Sequence, residues 1–401
     1  MATSETEEHV TLKLMVTKER NKVLFAEAGK DFVDVLFSFL TLPLGTIIRL
    51  VSKESNMQPI EVGSLSSLYQ SVENLNKKYL CTDTCKEMLL RPRNSMEAYC
   101  KDLKLNIDDT AYRFVRMSNA TFMITDDLNI LPMSLETTFS LFKNSGIENM
   151  SQVNEMTVNV TKKQVVNILK SCMLSESILT DLFLKKNLLS KRLEQTRPSL
   201  FDLKINGSSK QINVKLFKRK SDGNIVFAEG KEDFADFLFS FLTFPLVAVV
   251  HLMKGFSSIG TVDALYKSIV DLFEDYWTTE EVKDKLVFPG LAPQFKLSNQ
   301  LLPIYESLAP ESFSYVKKQS SCKVNNIWET FGNPKIVDPI SEKASEKGFT
   351  KGLNMYVATD DLVVMPMSSN YVVSLLNKMD IPLSDLEEQV VSIGIKASKR
   401  G

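Results

Sequence analysis

Phe25-Ala-Glu-Ala-Gly-Lys-Asp-Phe-Val-Asp-Val-Leu-Phe-Ser-Phe-Leu-Thr-Leu-Pro-Leu44 returns 202 positions later as Phe227-Ala-Glu-Gly-Lys-Glu-Asp-Phe-Ala-Asp-Phe-Leu-Phe-Ser-Phe-Leu-Thr-Phe-Pro-Leu246, with 14 of 20 positions identical. Two later landmarks recur in the same order. Gly63…Leu68-Tyr69…Ser71 matches Gly260…Leu265-Tyr266…Ser268 at an offset of 197. Thr125-Asp-Asp-Leu…Pro132-Met-Ser134 matches Thr359-Asp-Asp-Leu…Pro366-Met-Ser368 at 234. Three landmarks in order make the chain a duplication. The change of offset gives the second copy 37 extra residues, placed around 286–354. That stretch is rich in Pro, Ser, Lys and Asn and reads as a long irregular insertion, functional or disordered. The expected organisation is a tail at 1–9, a first unit at 10–189, a linker at 190–211 and a second unit at 212–398. The linker holds Arg197-Pro198 and Asn206-Gly-Ser-Ser.

Within a copy, Thr11-Leu-Lys-Leu-Met-Val alternates as a strand and Lys22-Val-Leu-Phe-Ala follows across a polar turn. In copy two that turn is Ser221-Asp-Gly-Asn, a hairpin signal. A helix is predicted over 31–51, kinked or divided at Pro43, because proline removes a helix donor. A second helix is predicted over 65–75. A second hairpin turns at Asp126-Asp127, and Ser134 caps a helix to Asn144. A strand follows at 157–160. Copy one then continues with apolar residues at helical spacing over 165–183, whereas copy two stops at the matching strand, 390–395. Hairpins and helices in blocks, without βαβ alternation, predict an α+β fold. It comprises two tandem homologous units, each of β-hairpins forming a mainly antiparallel sheet packed with helices.

The chain has 401 residues, with 48 Lys+Arg against 49 Asp+Glu, so a basic nucleic-acid surface is not expected. Basic clusters at 185–192, 215–220 and 396–400 lack interleaved aromatics and read as solvated faces or a weak nuclear-import signal. The two histidines, His9 and His251, exclude most His-based triads and metal sites. The segment Met1-Ala-Thr-Ser-Glu-Thr-Glu-Glu-His9 carries no secretory pattern. Five scattered cysteines (Cys81, Cys85, Cys100, Cys172, Cys322) fit reduced thiols. The expected location is therefore the cytoplasm, with the nucleus as a further site, and the four Asn-x-Ser/Thr matches carry no weight there. The charge-free runs 35–48 and 237–250 are 14 residues each, the length of core helices rather than of membrane spans.

Asp31, Asp34, Ser38 and Thr41 fall on one helix face, and Asp233, Asp236, Ser240 and Thr243 repeat the stripe. Paired carboxylates on a groove can do acid–base work or hold a hard cation. The simpler reading is structural. Asp near a helix start complements the macrodipole, and Ser and Thr hydrogen-bond back to the helix. Glu27 and Glu229, at strand ends, are weaker site candidates. Asp126-Asp127 and Asp360-Asp361 can hold a metal but are also favoured turn residues. Cys81 and Cys85 lack the further Cys/His ligands that zinc needs, and His251 reads as a packed residue. No metal or cofactor is expected. Dinucleotide, P-loop, nucleophile-elbow and His-Glu-x-x-His motifs are absent.

The stretch 22–46, Met88-Leu-Leu-Arg-Pro-Arg-Asn94 and Leu103-Lys-Leu-Asn-Ile-Asp-Asp109 resemble a plant-specific family of uncharacterised proteins, catalogued as a domain of unknown function. The resemblance covers nearly the whole chain and implies a plant source and two tandem units, with no activity and no catalytic residues to carry over. Relatives have paired cysteines after the Asn-Ile-Asp-Asp segment and in the second unit. Here Asp109 runs into Ala111-Tyr-Arg-Phe without them, and only Cys322 stands in the later loop. If those pairs bind zinc in relatives, the resemblance implies that this chain has lost the site.

Three functions are compatible with these residues. The first is a non-enzymatic interaction or regulatory module with a protein partner. The second is a small-molecule or lipid binder lined by Phe37, Phe39, Phe239 and Phe241. The third is an enzyme using the helix carboxylates.

Overall fold

The computed structural model describes residues 9–53, 62–96, 120–185, 211–257, 259–288, 290–291, 295, 297, 301–302, 304, 312–316, 328–332 and 348–394. The first copy contains β1 (His9–Thr17), β2 (Lys22–Gly29), α1 (Lys30–Thr41), α2 (Leu44–Lys53), α3 (Gly63–Asn74) and α4 (Asp83–Leu90). It continues with β3 (Thr121–Thr125), β4 (Ile130–Pro132), α5 (Leu135–Asn144), β5 (Val153–Thr161), α6 (Lys162–Cys172) and the short α7 (Ile178–Thr180). The second copy contains β6 (Gln211–Arg219), β7 (Ile225–Gly230), α8 (Glu232–Ser240), α9 (Leu246–Leu252), α10 (Val262–Asp271) and α11 (Glu280–Val287). After the hairpin β8 (Ser312–Val316) and β9 (Trp328–Gly332) come β10 (Tyr356–Thr359), β11 (Val364–Pro366), α12 (Ser369–Lys378) and β12 (Leu386–Gly394).

Each copy builds one five-stranded antiparallel sheet, in the orders β4-β3-β2-β1-β5 and β11-β10-β7-β6-β12. The protein is thus α+β with two tandem units. The first hairpin of each sheet slips register at the same repeat position, between Met15 and Val16 and between Phe217 and Lys218. The turn before β7 uses Gly223 at φ +73°, where a side chain would be strained.

Pro43 divides the predicted long helix. α1 ends at Thr41, the chain runs extended through Leu42, and α2 starts at Leu44. Pro245 does the same in the second copy. These two prolines face each other across an antiparallel bridge. Proline has no N–H, so its neighbours supply the bonds. Leu44 N donates to Phe244 O and Leu246 N donates to Leu42 O, both at 2.9 Å. The charge-free runs are therefore pairs of core helices, and among the described residues no helix is long and apolar enough to cross a membrane.

At this crossing the copies exchange helices. The core over the first sheet contains Leu12, Leu14, Phe122 and Val160 from its strands, and Phe32, Leu36 and Phe37 from α1. It also contains Val250, Leu265, Ile269, Trp277 and Leu286 from the second copy. The core over the second sheet contains Ile212, Val214, Phe239 and Tyr356, together with Leu68, Val72, Leu75, Leu80 and Leu89 from the first copy. Full burial of one such side chain stabilises by ~1.5–3 kcal/mol, so the exchanged residues form a major part of each core. Reciprocal hydrogen bonds fix the arrangement. Val364 N at the second sheet's edge donates to Ser71 Oγ at 2.9 Å, and Ile130 N at the first sheet's edge donates to Ser268 Oγ at 2.8 Å.

The ends of the 286–354 insertion belong to this packing. Leu291, Phe295, Leu297, Leu301 and Ile304 are buried in the second core, and Phe349 joins them from the far end. Among the described residues, the opposite face of each sheet carries one helix. Phe142 of α5 packs on Phe25 and Met123, and Leu376 of α12 packs on Phe227 and Val357.

Candidate functional site

The polar stripe runs inward. Asp34, Ser38, Thr41 and their counterparts Asp236, Ser240 and Thr243 are all buried, while Asp31 and Asp233 are half-buried in the first turn. The hydroxyls close local bonds. Ser38 Oγ donates to Val35 O at 2.6 Å and Thr41 Oγ1 to Ser38 O at 2.8 Å. Ser240 Oγ donates to Phe237 O and Thr243 Oγ1 to Ser240 O, both at 2.7 Å. Thr41 Oγ1 also accepts from Asn94 Nδ2 at 3.0 Å. Asp233 Oδ1 accepts from Phe234 N at 2.9 Å, and burial raises its pKa.

Asp236 forms a buried polar centre. Its Oδ1 accepts from Phe349 N at 3.0 Å, Thr350 N at 2.7 Å and Thr350 Oγ1 at 2.8 Å. Gly348 lies against the other oxygen: a Cβ built there would stand 1.7 Å from Oδ2, so the segment passes only because that residue has no side chain. The clamped segment pairs in turn with the first copy. Cys81 N donates to Phe349 O at 2.9 Å, Lys351 N to Tyr79 O at 2.8 Å, and Cys81 Sγ to Thr350 O at 2.9 Å. Tyr356 Oη donates to Tyr79 O at 3.2 Å. Desolvation pushes the Asp236 carboxyl up to about 7 despite its hydrogen bonds from Thr350 and Phe349, and pushes the Tyr356 phenol up to about 12. Asp34 is buried at the matching place, and the residues aligned with Gly348–Thr350, 114–116, lie outside the described residues.

Glu27 and Glu229 do not join this centre. They stand opposite Lys13 and Lys215 on the outer face of the sheets, away from α1 and α8. The Asp-Asp turns diverge between the copies. Asp126 is buried and holds α7, taking Thr180 N and Thr180 Oγ1 at 2.8 Å each, with Lys22 Nζ 3.8 Å away. Desolvation raises its pKa, opposed by those hydrogen bonds and Lys22. Its counterpart Asp360 is exposed. Asp127 and Asp361 accept from Thr125 and Thr359 within their own turns.

His251 Nδ1 lies 2.9 Å from Tyr266 Oη with its ring edge-on to Phe288, and burial lowers its pKa. Cys85 Sγ is 3.1 Å from Thr82 Oγ1, while burial raises the Cys172 thiol to about 12. Cys100, Cys322, 103–109 and 111–114 lie outside the described residues. Among the described residues no three His, Cys, Asp or Glu side chains are grouped to hold a metal ion. The groove suggested by the phenylalanines is filled. Phe37, Phe39 and Phe239 are buried in the two cores, and the half-buried Phe241 packs on Phe237 and Phe244.

Of the centre's other half, Cys81 stood out in the sequence only as a thiol beside Cys85, and Gly348, Phe349, Thr350, Tyr79 and Leu80 did not stand out. The one available signal was Gly348-Phe-Thr350, lying shortly before the repeated Thr359-Asp-Asp landmark. The repeated Ser71 and Ser268, quoted above only as landmarks, prove to tie each α-helical excursion to the other copy's sheet. Comparison with curated proteins finds no match, and neither does comparison with solved structures. A family model does match, over residues 6–113 and again over 111–396, and the chain accordingly belongs to the family described as "Protein of unknown function (DUF674)".

Proposed function

We propose that this protein is a non-enzymatic interaction or regulatory module, acting on a protein partner in the plant cytoplasm or nucleus. The observation that carries the reading is a repeated apolar surface on the outer layer of both units. Met133, Leu135 and Phe139 are exposed at the start of α5, the last two being 76% and 64% accessible. Met365, Met367 and Val373 are exposed around the start of α12, with Met133 matched by Met367 and Phe139 by Val373 in the repeat. Isolated exposed apolar residues need no explanation, but a cluster recurring at the same repeat positions favours a contact surface. Methionine suits such a surface because its flexible, polarisable side chain adapts to varied partners. Of the carboxylates that would serve an enzyme, Asp236 is instead engaged inside the fold, on Phe349 and Thr350.

The test is affinity capture from plant tissue at native expression, wild type against a Leu135→Ser, Phe139→Ser, Met367→Ser, Val373→Ser variant. The reading expects a reproducible partner that the variant loses while keeping its fold. Recovery of no reproducible partner, or equal recovery by both proteins, would count against it.

A further inference from the structure

We propose that Asp236 is a proton-operated latch between the two copies, holding the first copy's crossing segment on the second sheet most firmly when its carboxyl is neutral and giving way as it ionises. The geometry places this side chain at a junction of three parts of the chain. α8 carries the carboxyl, the returning end of the insertion supplies Phe349 and Thr350 as donors, and Tyr79–Cys81 bonds to the same two residues. Loosening the carboxyl therefore loosens the 349–351 backbone, and with it the bonds that hold Tyr79–Cys81.

Among the described residues no lysine or arginine forms an ion pair with Asp236 to balance its charge when it ionises. Its own helix also carries Asp233 and Glu232, and Glu232 adds to the rise in its pKa. From β10 comes Tyr356, and from the crossing segment Tyr79 and Cys81, none of them a cation, while the lysines of the packed segments, Lys77, Lys78, Lys231 and Lys351, are exposed. The strands under α8 carry Lys215 and Glu229, but these are register partners on the outer face, where Lys215 pairs with Glu388 at 3.0 Å. α3, also packed on α8, carries an exposed Glu73 and Tyr69, whose hydroxyl donates to Leu90 O at 3.2 Å. An ionised Asp236 is thus a buried anion supported by three donors and opposed by desolvation, and burial without a counter-ion is costly.

The sign follows from linkage. A buried acid whose pKa is raised to about 7 binds its proton more tightly in the closed form than in the open one. Its stabilising effect is complete below the ordinary carboxylate range and is lost as pH rises through about 7. Opening of the latch should rise by up to tenfold per pH unit between roughly pH 5 and 6.5 and level off above about 7.5.

Hydrogen exchange on the full chain from pH 5 to 8.5, corrected for intrinsic exchange, reads this opening. Peptides covering 79–81 and 349–351 should lose protection together in that window, while β1 and β5 show no matching break. Asp236→Asn, which cannot ionise, should abolish the break. A Thr350→Val variant, which loses one donor to the anion, should move the levelling-off to higher pH. Protection of both segments that stays independent of pH between 5 and 7, or a break that survives in Asp236→Asn, would overturn the proposal. The wild-type profile alone decides it should Asp236→Asn fail to fold.

Discussion

If the copies exchange helices, Phe37 and Trp277 must feel each other energetically although 240 positions separate them. Their rings stack with centroids 5.5 Å apart and planes inclined by 22°. Both are almost fully buried, at 0% and 2% accessibility. Phe37→Leu should destabilise by about 1–2 kcal/mol and Trp277→Leu by about 2–4, from lost transfer energy plus the cavity left behind. The informative quantity is the coupling. Aromatic pairs in offset or stacked contact contribute ~0.5–1.5 kcal/mol beyond their buried area. The double variant should therefore be less destabilised than the sum of the singles by about that amount. Urea unfolding followed by circular dichroism supplies the four free energies, and because each core contains side chains from both copies the transition should be cooperative. Residues without shared contacts add within about 0.3–0.5 kcal/mol. Additivity within that limit would refute the placement of Trp277 over the first sheet.

Other outcomes follow from the same structure. Ser71→Ala and Ser268→Ala should each cost about 1–3 kcal/mol, because Val364 N and Ile130 N are left buried without their acceptor; chemical denaturation measures this, and a change under about 0.3 would contradict it. Gly260→Ala should lower the melting temperature markedly. The residue has φ +47° and a Cβ there would stand 2.1 Å from Cys172 O, so strain and clash add; an unchanged melting temperature would contradict that packing. Thr180→Val should destabilise by about 1–3 kcal/mol by leaving the buried Asp126 Oδ2 without its donor, while a change at the exposed Asp360 should stay within ~0.5; parallel melts compare the two.

Much of the local architecture was legible in the residues. Alternation located β1 and β2, Ser134 marked the start of α5, and Asp126-Asp127 marked the β3–β4 turn. Pro43 was a readable break because its missing N–H acts locally. The exchange was not readable. Helical periodicity in Leu65, Leu68 and Val72 says that one face is apolar, but not which of two similar sheets it covers. The burial of the insertion's first part was not readable either: its prolines and polar residues dominate the composition, while the buried Leu291, Phe295, Leu297, Leu301 and Ile304 show no regular period. At the candidate site, the inward stripe of Asp34, Ser38 and Thr41 could be drawn from spacing alone. The partners of Asp236 could not, since Phe349 and Thr350 lie 113 and 114 positions away and bond mainly through backbone that carries no sequence signature.

Interlocking of the copies is most directly tested by cutting the chain between them. A protease site placed within 190–200 lets the intact folded protein be cleaved into two fragments, each carrying one copy. Exchanged helices predict that both fragments elute as one species of unchanged size under native conditions, and separate only when denaturant unfolds the two cores together. Fragments that part without denaturant, each with its own complete and stable core, would contradict the account.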